Sequence, residues 1–185
     1  EGKTFEAPEA LDALLGYLRQ AQAQWIEQTG VSPKPWLLKV SCDVSPAQLA
    51  ELFEVGLRHH VSGWVACNTS TQRQGLRTPP HQLQRIGPGG LSGRPIAEAS
   101  TRILGQLYQL NKAAGAQHVL VGVGGVYNAH TVWEKIIHGA QWVQLYTGLV
   151  MQGPGVLPAI QAGLLARLQA TGLPHLTAAI GRAVV

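Results

Sequence analysis

The chain has 185 residues, 45% apolar and only 13% charged, with 22 glycines. That is a globular composition, long enough for one core and one domain over residues 1–185. The net charge of +4 comes without a run of Lys or Arg and without basic–aromatic interleaving, which argues against nucleic-acid binding. The two cysteines, Cys42 and Cys67, have neither zinc spacing nor the look of a disulfide framework. The start, EGKTFEAPEALDALL, lacks the basic end and apolar stretch of a signal peptide, and no apolar run reaches the roughly 18 residues of a membrane span. The low charge hints that part of the surface is covered by other protein.

Residues 8–28 place Leu11, Leu14, Leu15, Leu18 and Trp25 at helical spacing, and Gly30 with SPKP ends the helix. Trp36 to Val40 reads as a short buried strand. Ser45, Pro46 and Gln48 make a helix start, with Ser45 as cap, and Leu49, Leu52, Phe53 and Leu57 follow on one face. Gly63 to Cys67 is the next strand. Residues 69–94 read as a long loop rich in Gln, Arg, Pro and Gly, and loops of that length in compact domains are often functional. Pro95 opens a helix whose inner face carries Ile96, Ala99, Ile103, Leu107 and Leu110. His118 to Gly122 is a third strand, leading into Gly124-Gly125, with a short helix over Thr131 to His138. Trp142 to Tyr146 is the fourth strand, and residues 156–170 close the chain as a helix with Leu157, Ile160, Leu164 and Leu168 aligned.

Strands alternating with helices predict an α/β fold with a parallel sheet and crossover helices. Two architectures fit: an open doubly wound sheet, or about four βα units of a (β/α)8 barrel, which needs eight strands to close. The glycine turn is GVGGV rather than GxGxxG, so the usual dinucleotide fingerprint is absent.

The chemistry-bearing residues stand at the C-terminal ends of the strands, the face where barrel active sites form. Lys39 is either a snorkelling lysine or a cation beside an electron-accepting ring. Asn68 and Thr69 suit a turn cap as well as ligand hydrogen bonds. Gly122, Gly124 and Gly125 suit tight strand–helix turns, and equally an anion cradle of backbone N–H groups. Cys67 reads as core before nucleophile. Arg94 could pair with a carboxylate inside a barrel and is not counted as catalytic. His59 and His60 sit at a helix end, and His130 and His138 are two turns apart, so no metal site is expected.

The series LLKV, NTST, GGLSGRP, GVGGV and VQLYTGLV followed by GP, in that order from Pro35 onward, resembles the quinone-linked (class 2) dihydroorotate dehydrogenases. The resemblance implies the C-terminal half of an FMN-binding TIM barrel, needing an N-terminal half to close. It implies FMN contacts at Lys39, Cys67, Gly93, Gly122, Gly124, Gly125, Tyr146 and Thr147, and dihydroorotate or orotate contacts at Asn68 and Thr69. Cys67 departs from the Thr or Ser of many relatives, which leaves a backbone contact as the expectation there. The family's base is a serine on a loop of the N-terminal half, and no segment here matches it, so no catalytic residue is expected in this chain. The implied partners are an N-terminal half on a second chain or another segment, dihydroorotate, and a quinone. Membrane association, at the mitochondrial inner or bacterial cytoplasmic membrane, would come through that other part. Two further readings stay open: a non-catalytic half-barrel recruited as a structural subunit, and an FMN barrel of different chemistry.

Overall fold

The computed structural model of the chain describes residues 4–184. Strands β1 (Leu37–Ser41), β2 (Gly63–Asn68), β3 (Val119–Val123) and β4 (Trp142–Gln144) form one parallel sheet in the order β1-β2-β3-β4. The helices are α1 (Pro8–Thr29), α2 (Pro46–Arg58), α3 (Pro80–Ile86), α4 (Ala97–Ala113), α5 (Ala129–Ile137), α6 (Thr147–Gln152) and α7 (Val156–Thr171). A doubly wound sheet reverses its strand order at a switch point. Here each strand lies beside the next in sequence, so the sheet winds one way, as a barrel does.

Register separates the two faces of the sheet. Leu38, Val40, Trp64, Ala66 and Leu120 share the face covered by α2 and α4. Leu37, Lys39, Val65, Val119, Val121 and Trp142 share the other, which no helix of the described residues covers; Trp142 is 69% exposed. Between Val40 and Ser41 the β1–β2 register shifts, so Ser41 pairs with Asn68. Such an irregularity re-aims side chains at a strand end.

The covered core centres on Trp64, which is fully buried, stacks on Phe53 at 5.7 Å and donates from Nε1 to His118 Nδ1 at 3.1 Å. Gly56 makes room for the indole, since a Cβ there would lie 2.5 Å from Trp64 Cζ2. Accepting at Nδ1 keeps His118 neutral, and burial pushes its pKa below 6.5. The unfolded chain therefore binds the proton first as pH falls, so His118 removes stability below about pH 6.5 and none above it. We expect His118→Gln, which can still accept from Trp64, to lessen the loss of denaturant resistance between neutral and mildly acid pH; an unchanged slope would exclude His118 as its source.

Several sequence expectations are corrected. On α1 only Leu11 and Leu15 are buried, while Leu18 and Trp25 are exposed. The helix meets α2 through its first half, and Arg19 reaches the end of α2, stacking on Trp36 and donating to the carbonyls of His59 and His60. Ser45 caps α2 by accepting from Gln48 N at 3.2 Å, but the Gln48 side chain donates to the Glu6 carbonyl instead of closing a capping box. The region 69–94 is not all loop, for α3 lies in it, fully unburied. A 3-10 turn at Arg94–Ile96 precedes the helix expected from Pro95, which starts at Ala97. The fourth strand stops at Gln144, and α6, which the apolar run LYTGLV disguised as strand and turn, follows. On α7 the inner face is Val156, Ile160 and Leu164, and Leu157 points out.

Candidate functional site

A cavity of about 180 Å3 opens at the C-terminal ends of the strands. Lys39, Cys67, Asn68, Thr69, Gly93, Gly124, Gly125, Tyr146 and Thr147 all line it. Of the ten residues singled out in the sequence, only Gly122 lies off the cavity. Its Cα faces the other way, where a Cβ would meet Lys135 Cβ at 3.0 Å and Leu104 Cδ2 at 3.2 Å.

Each wall has a local cause. Lys39 is the middle residue of β1, two places before the strand end expected for it, and lies on the uncovered face of the sheet. Asn68 ends β2 and accepts from Thr69 N at 3.0 Å through Oδ1, so the turn-cap reading holds for its oxygen. Its NH2 takes no part in that bond. Cys67 is buried beneath, and burial pushes its thiol well above the ordinary value, which suits a packed wall and not a nucleophile. Gly93 (φ 75°), Gly124 (φ 105°) and Gly125 (φ 71°) adopt left-handed backbone that side chains disfavour. Thr147 Oγ1 donates to Ser92 Oγ at 2.9 Å, tying the start of α6 to the loop before α4.

The long loop is pinned at its base. Ser70 and Leu91 exchange backbone hydrogen bonds of 3.0 and 2.7 Å. Asp43, just past β1, accepts from Ser70 Oγ at 2.5 Å through Oδ1, and from Thr71 N and Oγ1 at 2.8 and 2.9 Å through Oδ2. The Arg94 guanidinium lies 4.2 Å over the Tyr127 ring, where a cation gains from the aromatic face.

Behind the glycine turn, Lys135 is 1% exposed. Its ammonium donates to Ser100 Oγ at 2.5 Å, Thr101 Oγ1 at 2.8 Å and the Ala97 carbonyl at 3.4 Å. Burial lowers its pKa to about 8. Sequence reasoning missed Lys135, Ser100, Ser92 and Asp43. Lys135 did leave a signal: with Val132 and Ile136 it holds an inner-face position of α5.

A larger cavity, about 660 Å3, lies on the outer side between α4 and α5, lined by residues such as Glu98, Arg102, His130 and Glu134. It meets the strand-end cavity at Gly125, which lines both. Glu134 lies 3.9 Å from both His130 and His138. Among the described residues no group of three His, Cys, Asp or Glu side chains is placed to hold a metal ion, and no helix is long and apolar enough to cross a membrane.

The arrangement can hold an anion against glycine backbone and place a cation and amide donors beside a planar ligand. At 180 Å3 the cavity is smaller than the roughly 300 Å3 or more of a whole cofactor pocket, so it suits one end of such a ligand.

A family model described as dihydroorotate dehydrogenase matches residues 5–168. Among similar curated proteins, each named dihydroorotate dehydrogenase (quinone), one from Synechocystis is 41% identical over 152 residues, covering 80% of this chain and 39% of its own length. One from Mycolicibacterium smegmatis is 38% identical, covering 82% and 41%. One from Cereibacter sphaeroides is 40% identical over 179 residues, covering 97% and 47%. Two DHODH structures from Eimeria tenella, one ligand-free and one with ferulenol, superpose with TM-scores of 0.83 and 0.84 at 24% and 22% identity, over 98% of this chain and 51% and 50% of theirs. The chain thus spans about half the length of the relatives it matches.

Proposed function

Because the chain belongs to the dihydroorotate dehydrogenase family and folds as four βα units of its barrel, we propose that it forms the phosphate side of an FMN site and part of the shelf for dihydroorotate. In the assembled barrel it would take part in oxidising dihydroorotate to orotate, with a quinone as final acceptor. The observation that carries this is the single cavity lined by nine of the ten residues the family resemblance points to.

The residues fit the cofactor. Gly93, Gly124 and Gly125 bring backbone without side chains to the cavity, and Thr147 adds a hydroxyl; such a lining suits a phosphate. Lys39, on the uncovered face, would place positive charge beside the flavin ring. FMN, when bound, supplies the two-electron acceptor that no side chain provides. Asn68 and Thr69 would orient the substrate's ring and carboxylate through amide and hydroxyl. None of these residues is placed as the base, and we assign proton removal to a serine of the barrel's other half. That half would cover the sheet face bearing Leu37, Val65 and Trp142, and would carry quinone access and membrane association.

The test is to purify the chain with whatever copurifies, record the flavin spectrum, and measure dihydroorotate-dependent quinone reduction. A yellow assembly that reduces quinone supports the reading. A colourless, inactive one overturns it in favour of a structural half-barrel. In the active assembly Lys39→Ala should weaken FMN binding or slow flavin reduction about tenfold, the worth of one partly exposed charge contact; unchanged flavin content and reduction rate would refute that role.

A further inference from the structure

The hydrogen bonds behind the glycine turn run in one direction. A charged lysine only donates, so Ser100 Oγ accepts from Lys135 and its own proton must go elsewhere. Two acceptors are in reach, the carbonyls of Gly124 at 2.9 Å and Ala97 at 3.1 Å. Ala97 O already receives the Thr101 hydroxyl at 2.8 Å, which leaves Gly124 O to Ser100. The Gly124–Gly125 peptide is trans, and across a trans peptide C=O and N–H point oppositely. Tying the Gly124 carbonyl back to α4 therefore aims the Gly125 N–H away from α4, at a residue that lines the strand-end cavity.

We propose that Lys135 is a positioning residue for the anion site: its ammonium sets the direction of the Ser100 hydroxyl, which holds the Gly124 carbonyl and presents the Gly125 N–H to a cofactor phosphate. This rests on the FMN reading above. It explains why a lysine occupies an inner-face position where all three of its hydrogen bonds go to neutral oxygens. A buried ammonium without a carboxylate weakens the fold, so its retention needs another return. A neutral lysine can instead accept from Ser100, which frees the Gly124 carbonyl. Anion affinity should then fall as pH rises through the Lys135 ionisation, near 8 before a ligand's charge raises it.

Several titratable groups surround Lys135. Cys67 on β2 and Cys42 after β1 have thiols that burial pushes up. Glu98 and Arg102 on α4, His130 and Glu134 on α5, and His138 just past it share the outer groove with it, together with Tyr127.

The experiment titrates FMN, by quenching of its fluorescence, into the purified assembly of wild type, Lys135→Met and Ser100→Ala from about pH 7 to about pH 9.5, above the phosphate's own ionisation near 6. Wild type should bind about tenfold more weakly at the upper end, the size of one displaced ionisation of about one pH unit. Lys135→Met should bind about tenfold more weakly at pH 7 and lose the pH dependence. Its thermal midpoint should match or exceed wild type, whereas a lysine with a merely structural role would lower it on removal. Ser100→Ala should flatten the profile with Lys135 still in place. A flat wild-type profile overturns the proposal even if a variant fails to fold, and so does a Ser100→Ala profile like wild type. Amide exchange of residues 122–127 in ligand-free protein separates the two readings. Faster exchange in Lys135→Met supports the positioning role even if wild type binds no FMN, a result that would strike only the cofactor reading; equal exchange overturns the positioning role.

Discussion

Trp64→Ala is expected to cost about 4 kcal/mol, the range for emptying a fully buried Trp site. The indole is 0% exposed, stacks on Phe53 with an interplanar angle of 23°, and fills the notch that Gly56 leaves in α2. Little around it can collapse, because β2 is held on both sides by β1 and β3. Truncation also strips His118 Nδ1 of its donor, and an unpaired buried acceptor adds about 1 kcal/mol or more. Trp64→Phe keeps most of the stacking and loses only the N–H and some volume, so it should cost about half as much. Denaturant midpoints of the two variants measure this. A loss below about 1 kcal/mol for Trp64→Ala would mean that the sheet is not anchored through this side chain. The consequence reaches the site, since β2 ends at Cys67 and Asn68, two walls of the cavity.

On the proposed FMN reading, Gly125→Ala should lower flavin affinity about a hundredfold, and it should cost about 3 kcal/mol, combining left-handed strain with overpacking. At φ 71° the added Cβ would lie 2.3 Å from Ala97 Cα and Cβ and 2.8 Å from Ala97 N. Those are the first atoms of α4, held through Thr101 and Lys135, so the turn must move instead. Moving it displaces Gly125, which lines the cavity. Gly115→Ala is the control: φ is 61° but nothing lies within 4 Å, so it should show only the strain, about 1 kcal/mol, and keep the flavin. Equal flavin affinity in Gly125→Ala and wild type would remove this turn from the cofactor site.

Local signals carried much of the site. A strand end followed by a polar or glycine-rich turn is visible in a short window, and Lys39, Asn68, Thr69, Gly124, Gly125, Tyr146 and Thr147 all come from such windows and share one cavity. Gly122 came from the same run, yet alternation along β3 turns it toward Lys135 and away from the cavity. The supports were harder to read, because they are long-range. Asp43 meets Ser70 across 27 positions, and Lys135 meets Ser100 across 35. Nothing in a single window pairs such residues.

By itself the sequence determined the alternation of strands and helices, the Ser45 cap, the Gly124-Gly125 turn and the family, because each is written in short-range pattern or in motif order. Which face of the sheet is covered was decided only in three dimensions. Trp142 and Trp64 look alike in sequence, but one is 69% exposed and the other fully buried. A period of two fixes alternation along a strand without saying which side receives the helices. Strand order likewise depends on the side and direction of each crossover, so the one-way winding, and the cavity it builds at the strand ends, emerged only from the tertiary structure.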